Sequence, residues 1–252
     1  MLHSSISASL VLAFALWAPT APSLSDVHKA ESILDRHVEA TGGADAYAKH
    51  EYRVSVGTVL HDGVNIISSL SIHESRSTDY RRLFRSESMG DQVDGSTGKV
   101  AWIYSDISGN WLMRGPALAR ALREAPLDSP TIWRKQFERV DYAGPREVDG
   151  KTLHAVTLVS RDGVQETRTY DADTGLHIQT ECETELEGNS IPTVFTYSDY
   201  RTVDGVLLPH TIRQEHTGIP GLVINLDRIV HEQELADSLF EPPAPVRALL
   251  DR

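Results

Sequence analysis

Hydrophobic and polar residues along this chain change their period after the first helix-like segment, and the change separates a helical opening from a long strand-forming remainder. Residues 26–41 place Val27, Ala30, Leu34, Val38 and Thr41 at helical spacing, with Ser25 able to cap the first turn and Gly42-Gly43 supplying a left-handed exit. The spacing predicts one amphipathic helix of about 16 residues whose narrow apolar stripe needs another surface to cover it. From Tyr52 the period drops to two. Val54, Val56, Thr58 and Leu60 share a face, Asp62-Gly63 signals a turn, and Ile66, Leu70 and Ile72 resume the alternation, so a hairpin is predicted. The next strand, 78–88, carries Arg81, Arg82 and Arg85 on a face read as solvated. Another strand, 100–104, lies between turn signals at Asp94-Gly95 and Ser108-Gly109-Asn110.

The alternation breaks between Gly115 and Arg139. Pro116 precedes a run with Leu118, Ala121 and Leu122 on one side, and beyond Pro126 and Pro130 the residues Ile132, Trp133, Gln136 and Phe137 cluster at helical spacing. Two short helices inserted in a sheet are predicted; alone they are marginal, so they must lie against the sheet or cover something. A meander then follows over 139–146, 152–161, 164–171, 175–185, 191–201, 206–216 and 221–231. Its turns fall at Asp149-Gly150, Asp162-Gly163, Asp173-Thr174-Gly175, Glu187-Gly188-Asn189, Asp204-Gly205 and Gly218 to Gly221. One more helical turn precedes Pro242-Pro243, and beyond it the pattern predicts no definite element. With no linker between the strand-rich halves, the expected fold is mainly β. It is a single strongly curved antiparallel sheet, an incomplete barrel of about 10–11 strands, with helices covering the concave side.

Composition narrows the picture. The chain has 252 residues, 40% of them hydrophobic, enough for one large domain with a core. A net charge of -12 argues against nucleic acid or an anionic bilayer surface as a partner. Cys182 has no second cysteine to pair with. Alternation over 176–183 puts Leu176, Ile178, Thr180 and Cys182 on the core side and His177, Gln179, Glu181 and Glu183 on the polar side. The apolar run 6–18, followed by Ala, Pro and Ser, reads as a secretory signal peptide over 1–23 and leaves a single β-rich domain over 24–252. The expected location is periplasmic or secreted.

The motif inventory is thin. GxSxG, HExxH, GxGxxG, Walker A, CxxC and EF-hand patterns are all absent from the sequence. His61, His73, His154, His177, His210 and His216 occur singly in strand-like segments, so no catalytic set, metal set or cofactor is assigned. Asp171, Asp173 and Gly175 follow the chemistry of a tight turn better than that of a calcium loop. The more informative collection is apolar: Trp102, Trp111, Leu112, Leu118, Leu122, Trp133 and Phe137. These residues pack an ordinary core, or else they line a partly hollow interior that takes a hydrophobic ligand. Binding there would draw on roughly 0.8 kcal/mol per buried methylene.

The elements YAGPREVDGKTLHAVTLVS, ETRTYDADTGLHIQTE, TVFTYSDYRTVDGVLLPHTI and VHEQELADSLFEPP, together with an early helix ending in Gly42-Gly43, carry a resemblance. Over roughly 26–243 the chain resembles the LolA/LolB-like periplasmic superfamily of outer-membrane lipoprotein-sorting and carrier proteins and their secreted relatives. The resemblance implies an incomplete antiparallel barrel with helices at its mouth, whose cavity holds acyl chains. It implies a non-catalytic, monomeric carrier with a lipid or an acylated protein as partner, and an envelope membrane protein as a further one. Two alternatives stay open. One is an envelope structural or protein-interaction module with a filled core; the other is an extracytoplasmic enzyme that assembles dispersed His and Asp/Glu residues in the groove.

Overall fold

A computed structural model describes residues 23–64, 66–148, 150–186 and 189–250. The expected leader, apart from Ser23, and the turn residues Asp149, Glu187 and Gly188 lie outside the described residues. Thirteen strands form one antiparallel sheet that does not close into a barrel. The first meander is β1 (Tyr52–His61), β2 (Ile66–Ser75), β3 (Tyr80–Ser86), β4 (Gly90–Thr97), β5 (Val100–Ser105) and β6 (Gly109–Leu112). The second is β7 (Phe137–Val148), β8 (Lys151–Ser160), β9 (Gln165–Asp171), β10 (His177–Leu186), β11 (Asn189–Val203), β12 (Val206–His216) and β13 (Ile219–Glu232). Within each meander neighbours in the chain pair, and the two meanders join where β1 pairs with β13, giving the order β6-β5-β4-β3-β2-β1-β13-β12-β11-β10-β9-β8-β7. The edges are therefore β6 and β7, and residues 113–136 carry the chain from one edge to the other.

The predicted meander of the second half is present strand for strand. The first half contains two strands more than the pattern indicates, β4 and β6, both built from residues that read as turns. Asp94-Gly95 sits inside β4 rather than at a bend. Asp94 is buried, yet its carboxylate accepts from the cross-strand Arg82 guanidinium at 2.7 Å. Gly95 is where the Trp102 ring passes closest, since a Cβ there would lie 2.8 Å from Trp102 Cζ2 and 2.7 Å from the Tyr80 carbonyl oxygen. Both residues owe their place to partners on neighbouring strands. Arg82 and Arg85 of β3 are solvated as expected, at 44% and 64% side-chain exposure, while pairing with Asp94 and Asp91 across the β3–β4 ladder.

The opening helix α1 (Leu24–Ala40) is capped by Ser23, two residues earlier than the expected Ser25 cap. Ser23 Oγ accepts from the Asp26 N–H at 3.3 Å and the Asp26 carboxylate accepts from the Ser23 N–H, forming a reciprocal capping box. Ala30, Ile33, Leu34 and Val38 bury the apolar stripe against Trp133, Phe137, Val140, Val156, Leu158 and Tyr170, so α1 covers β7 and β8. The one-turn α2 (Ala44–Tyr47) packs Ala46 and Tyr47 against Val59, Leu70, Val206 and Leu226 over the junction of the two meanders.

Of the two inserted helices, α3 (Gly115–Glu124) forms as predicted, while the second shrinks to a 3₁₀ turn at Ser129–Ile132 and a single turn, α4 (Trp133–Gln136). Phe137 already belongs to β7. The predicted closing turn is a 3₁₀ helix, Asp237–Phe240, and a further helix, α5 (Ala244–Leu250), follows it. Val246 of α5 is fully buried with Trp102 and Val93, closing the β5–β6 edge. Among the described residues no helix is long and apolar enough to cross a membrane.

Candidate functional site

The inner face of the sheet and the segments packed over it enclose a cavity of about 300 Å³. Its two sides differ in chemistry: an apolar wall spans the β1–β13 junction, and a polar wall lies further along the sheet, on β9 to β11. Ile72 of β2, Leu208 and Ile212 of β12, and Leu226 and Ile229 of β13 make an apolar wall. Glu166 and Arg168 of β9, His177 and Thr180 of β10, and Tyr197 and Tyr200 of β11 make a polar one. His37 and Thr41, at the end of α1, close the side near β10, and Arg120 and Glu124 of α3 with Pro126, Leu127 and Pro130 form the roof.

The charged groups in this cavity are paired. Arg53 and Glu74, directly opposite on β1 and β2, make a bidentate contact at 2.7 and 2.9 Å. Arg168 donates through Nε to Glu166 Oε1 at 2.6 Å, and Arg123, behind the lining, reaches the other oxygen at 3.5 Å. Burial pushes the Glu166 carboxyl up, but the Arg168, Arg123 and Arg120 guanidiniums outweigh it and hold the group below its ordinary range. Arg120 donates to Glu124 at 2.8 Å and to Cys182 Sγ at 2.8 Å. Cys182 is therefore a half-buried acceptor beneath the roof, not a core hydrophobe; burial pushes its thiol up.

His177 departs from the solvated position that alternation implies. The β9–β10 register slips between His177 and Gln179, so a bulge at Ile178 puts His177 and Thr180, three residues apart, on the same cavity face. His177 shares a hydrogen bond with Thr180 Oγ1 at 3.0 Å, and its ring lies 5.1 Å from that of Tyr170 and 4.6 Å from that of Tyr197. The adjoining turn has the geometry expected of it, with Asp171 Oδ1 accepting from the N–H groups of Asp173 and Thr174 at 3.0 and 2.8 Å. Arg36 and His37 of α1 bond the carbonyls of Ala172, Asp173 and Gly175, tying the helix to that turn.

Burial pushes His37 down to about 4, with Arg168 adding to the effect. Tyr170 and His177 pack against its ring, so the pocket accommodates the neutral imidazole. An unfolded histidine titrates near 6.5, so between about pH 6.5 and 4 the unfolded chain binds the extra proton and stability falls on acidification. Burial lowers His177 as well, which adds in the same direction. From pH 7 to pH 5, His37 alone is expected to remove about 2 kcal/mol. Urea unfolding at the two pH values measures this; a His37→Asn chain should show a flatter dependence, and an equally steep one would rule the assignment out.

The apolar residues singled out from sequence lie elsewhere. Trp102 is fully buried with Val93 and Val246, and Leu112 packs partly against the same cluster. Trp133 and Phe137 are buried under α1. Trp111 on β6 is 41% exposed, and Leu118 and Leu122 are half-buried on α3. None of these residues belongs to the lining of the 300 Å³ cavity. The packing of α1 and α5 at the two sheet edges takes up Trp133, Phe137 and Trp102 instead. The residues that sequence reasoning did not single out are Arg120, Glu166, Arg168, Tyr197 and Tyr200, and His177 reads in sequence only as one of several isolated histidines. A faint signal exists in β9, where Glu166, Arg168 and Tyr170 share one face of a strand whose opposite face is made of short Thr167 and Thr169.

No protein-family model matches the sequence, and neither does any curated protein. Solved structures do match in fold. A domain from Vibrio parahaemolyticus ascribed to outer membrane lipoprotein sorting aligns with a TM-score of 0.59 at 9% identity, covering 90% of this chain and 100% of that one. A DUF1329 family protein from Desulfovibrio piger aligns at 0.57 and 14% identity, covering 84% and 97%. A LolA superfamily protein from Nitrosomonas europaea aligns at 0.56 and 13% identity, also covering 84% and 97%. The fold of this chain is LolA-like.

Proposed function

We propose that this chain, a LolA-like sheet around a two-walled cavity, is a non-catalytic envelope carrier that binds a lipid or the acyl chain of a lipidated protein. The observation that carries the reading is the cavity itself: about 300 Å³ beside a wall of Ile72, Leu208, Ile212, Leu226 and Ile229, roofed by α3 and the segment that follows it. Ala125 and Leu127 anchor the far end of this roof in the core, whereas on α3 itself the only buried residue is Arg123, so α3 can yield at modest cost. A filled-core interaction module would place side chains in that space. The polar groups an enzyme would need are present in the cavity, but each has a partner: His37 with the Gly175 carbonyl, His177 with Thr180, Glu166 with Arg168. The similar fold of a domain ascribed to lipoprotein sorting and of a LolA superfamily protein is consistent with an envelope role and supports it by analogy only.

The test is native mass spectrometry of protein purified gently from its own envelope fraction, followed by extraction of whatever co-purifies. A mass increment of an acyl-chain compound is expected, lost on delipidation and restored by a lipid panel. Absence of any increment, together with no displacement of an apolar fluorescent probe by that panel, would eliminate the carrier reading.

A further inference from the structure

We propose that the ligand is a single-chain amphiphile with an anionic head, its chain on the apolar wall and its head oxygens on Arg120 and Arg168. This narrows the carrier reading above and rests on it. Size gives the first limit. At about 30 Å³ for each water-sized group, 300 Å³ matches roughly ten heavy atoms, the volume of one ten-carbon chain, with the head toward the open side.

Charge gives the second limit. By count the lining is balanced, with Arg53, Arg120 and Arg168 against Glu74, Glu124 and Glu166. Exposure to water is not balanced. Arg53 and Glu74 satisfy each other in a closed bidentate pair. The Glu124 side chain is 45% exposed, so solvent screens most of its attraction for Arg120. At the charged end, Arg120 (16%), Arg168 (15%) and Arg123 (6%) surround a single buried carboxylate, Glu166 (2%). Asp162 stands 3.6 Å from Arg123 but is 34% exposed. Arg123 Nε has no acceptor, and Arg120 spends one amino group on the thiol of Cys182 and the carbonyl of Glu183, both neutral. This end of the cavity therefore holds an excess of desolvated positive charge within an acidic protein. Guanidinium forks match the paired oxygens of a carboxylate or a phosphate, and attraction is strong where water is excluded.

Calorimetric titration of the delipidated full chain at pH 7 with decanoate, decyl phosphate, decanol, decyltrimethylammonium and inorganic phosphate tests this. Decanoate and decyl phosphate are expected to bind at least about tenfold more tightly than decanol, with decyltrimethylammonium weaker than decanol. Inorganic phosphate, lacking the chain, should bind far more weakly than decyl phosphate. Arg168→Gln should lower decanoate affinity about tenfold more than it lowers decanol affinity, with a thermal melt reporting whether the variant is folded. Arg120→Gln should act in the same direction and serves if Arg168→Gln does not fold. Equal binding of decanol and decanoate would overturn the anionic head and leave the carrier reading standing. Phosphate binding as tightly as decyl phosphate would overturn the amphiphile in favour of a plain anion site. If none of these compounds binds but a two-chain phospholipid does, the single short chain alone is overturned; if the phospholipid fails as well, both proposals are.

Discussion

Glu166→Gln is expected to lower the unfolding free energy by about 3–5 kcal/mol, the usual cost of removing one partner from a buried ionic cluster. The reason lies in how Glu166 is placed. Its side chain is 2% exposed, Arg168 bonds one oxygen at 2.6 Å, and Arg123 reaches the other at 3.5 Å. Neutralising it leaves desolvated guanidiniums facing one another with no carboxylate between them, and mutual repulsion adds to the lost attraction. Because α3 buries only Arg123, the roof should loosen before the sheet does, so amide exchange over 115–124 is expected to rise more than exchange in β8 or β9. The double variant Glu166→Gln/Arg168→Met should recover part of the loss by removing one stranded cation. A loss below about 1 kcal/mol in urea unfolding would mean that the cluster is solvated and does not hold the roof.

Gly57→Ala is expected to destabilise by about 3 kcal/mol, a fall in melting temperature of about 10 °C for a chain of this size. Gly57 lies where the β1–β13 register shifts by one residue, between Val56 and Gly57, and the partner backbone crosses directly over it. A Cβ at Gly57 would sit 1.9 Å from the Asn225 carbonyl oxygen and 2.8 Å from Leu226 Cα, both backbone atoms that no rotamer change can move aside. Relief requires parting β1 from β13, the pairing that joins the two meanders. Leu226 and Ile229 on the same strand line the apolar wall, so probe binding in the cavity should weaken along with stability. A melting temperature within about 2 °C of the parent would show that the ladder accommodates a side chain there.

The sequence alone determined the local elements. Period-two alternation with Asp-Gly turns specified the hairpin at Asp62-Gly63 and every strand from β7 to β13, and the 3.6-residue stripe of Val27, Ala30, Leu34 and Val38 specified α1. These signals are local, because a strand or helix must keep one face apolar wherever it packs. The resemblance in the second half likewise led to the LolA-like fold that the solved structures share. Tertiary structure decided the rest. Asp94-Gly95 reads as a turn until Arg82 and Trp102 arrive from neighbouring strands. His177 reads as solvated until a bulge at Ile178 turns it inward. Trp102 and Trp133 read as candidate cavity walls, but α5 and α1 bury them at opposite edges of the sheet. Alternation says which side chains share a face and not whether that face meets water, a helix or a hollow. A buried charge such as Arg168 looks like a surface charge in sequence, because the carboxylates that make its burial tolerable are Glu166 on its own strand and Glu124 on α3.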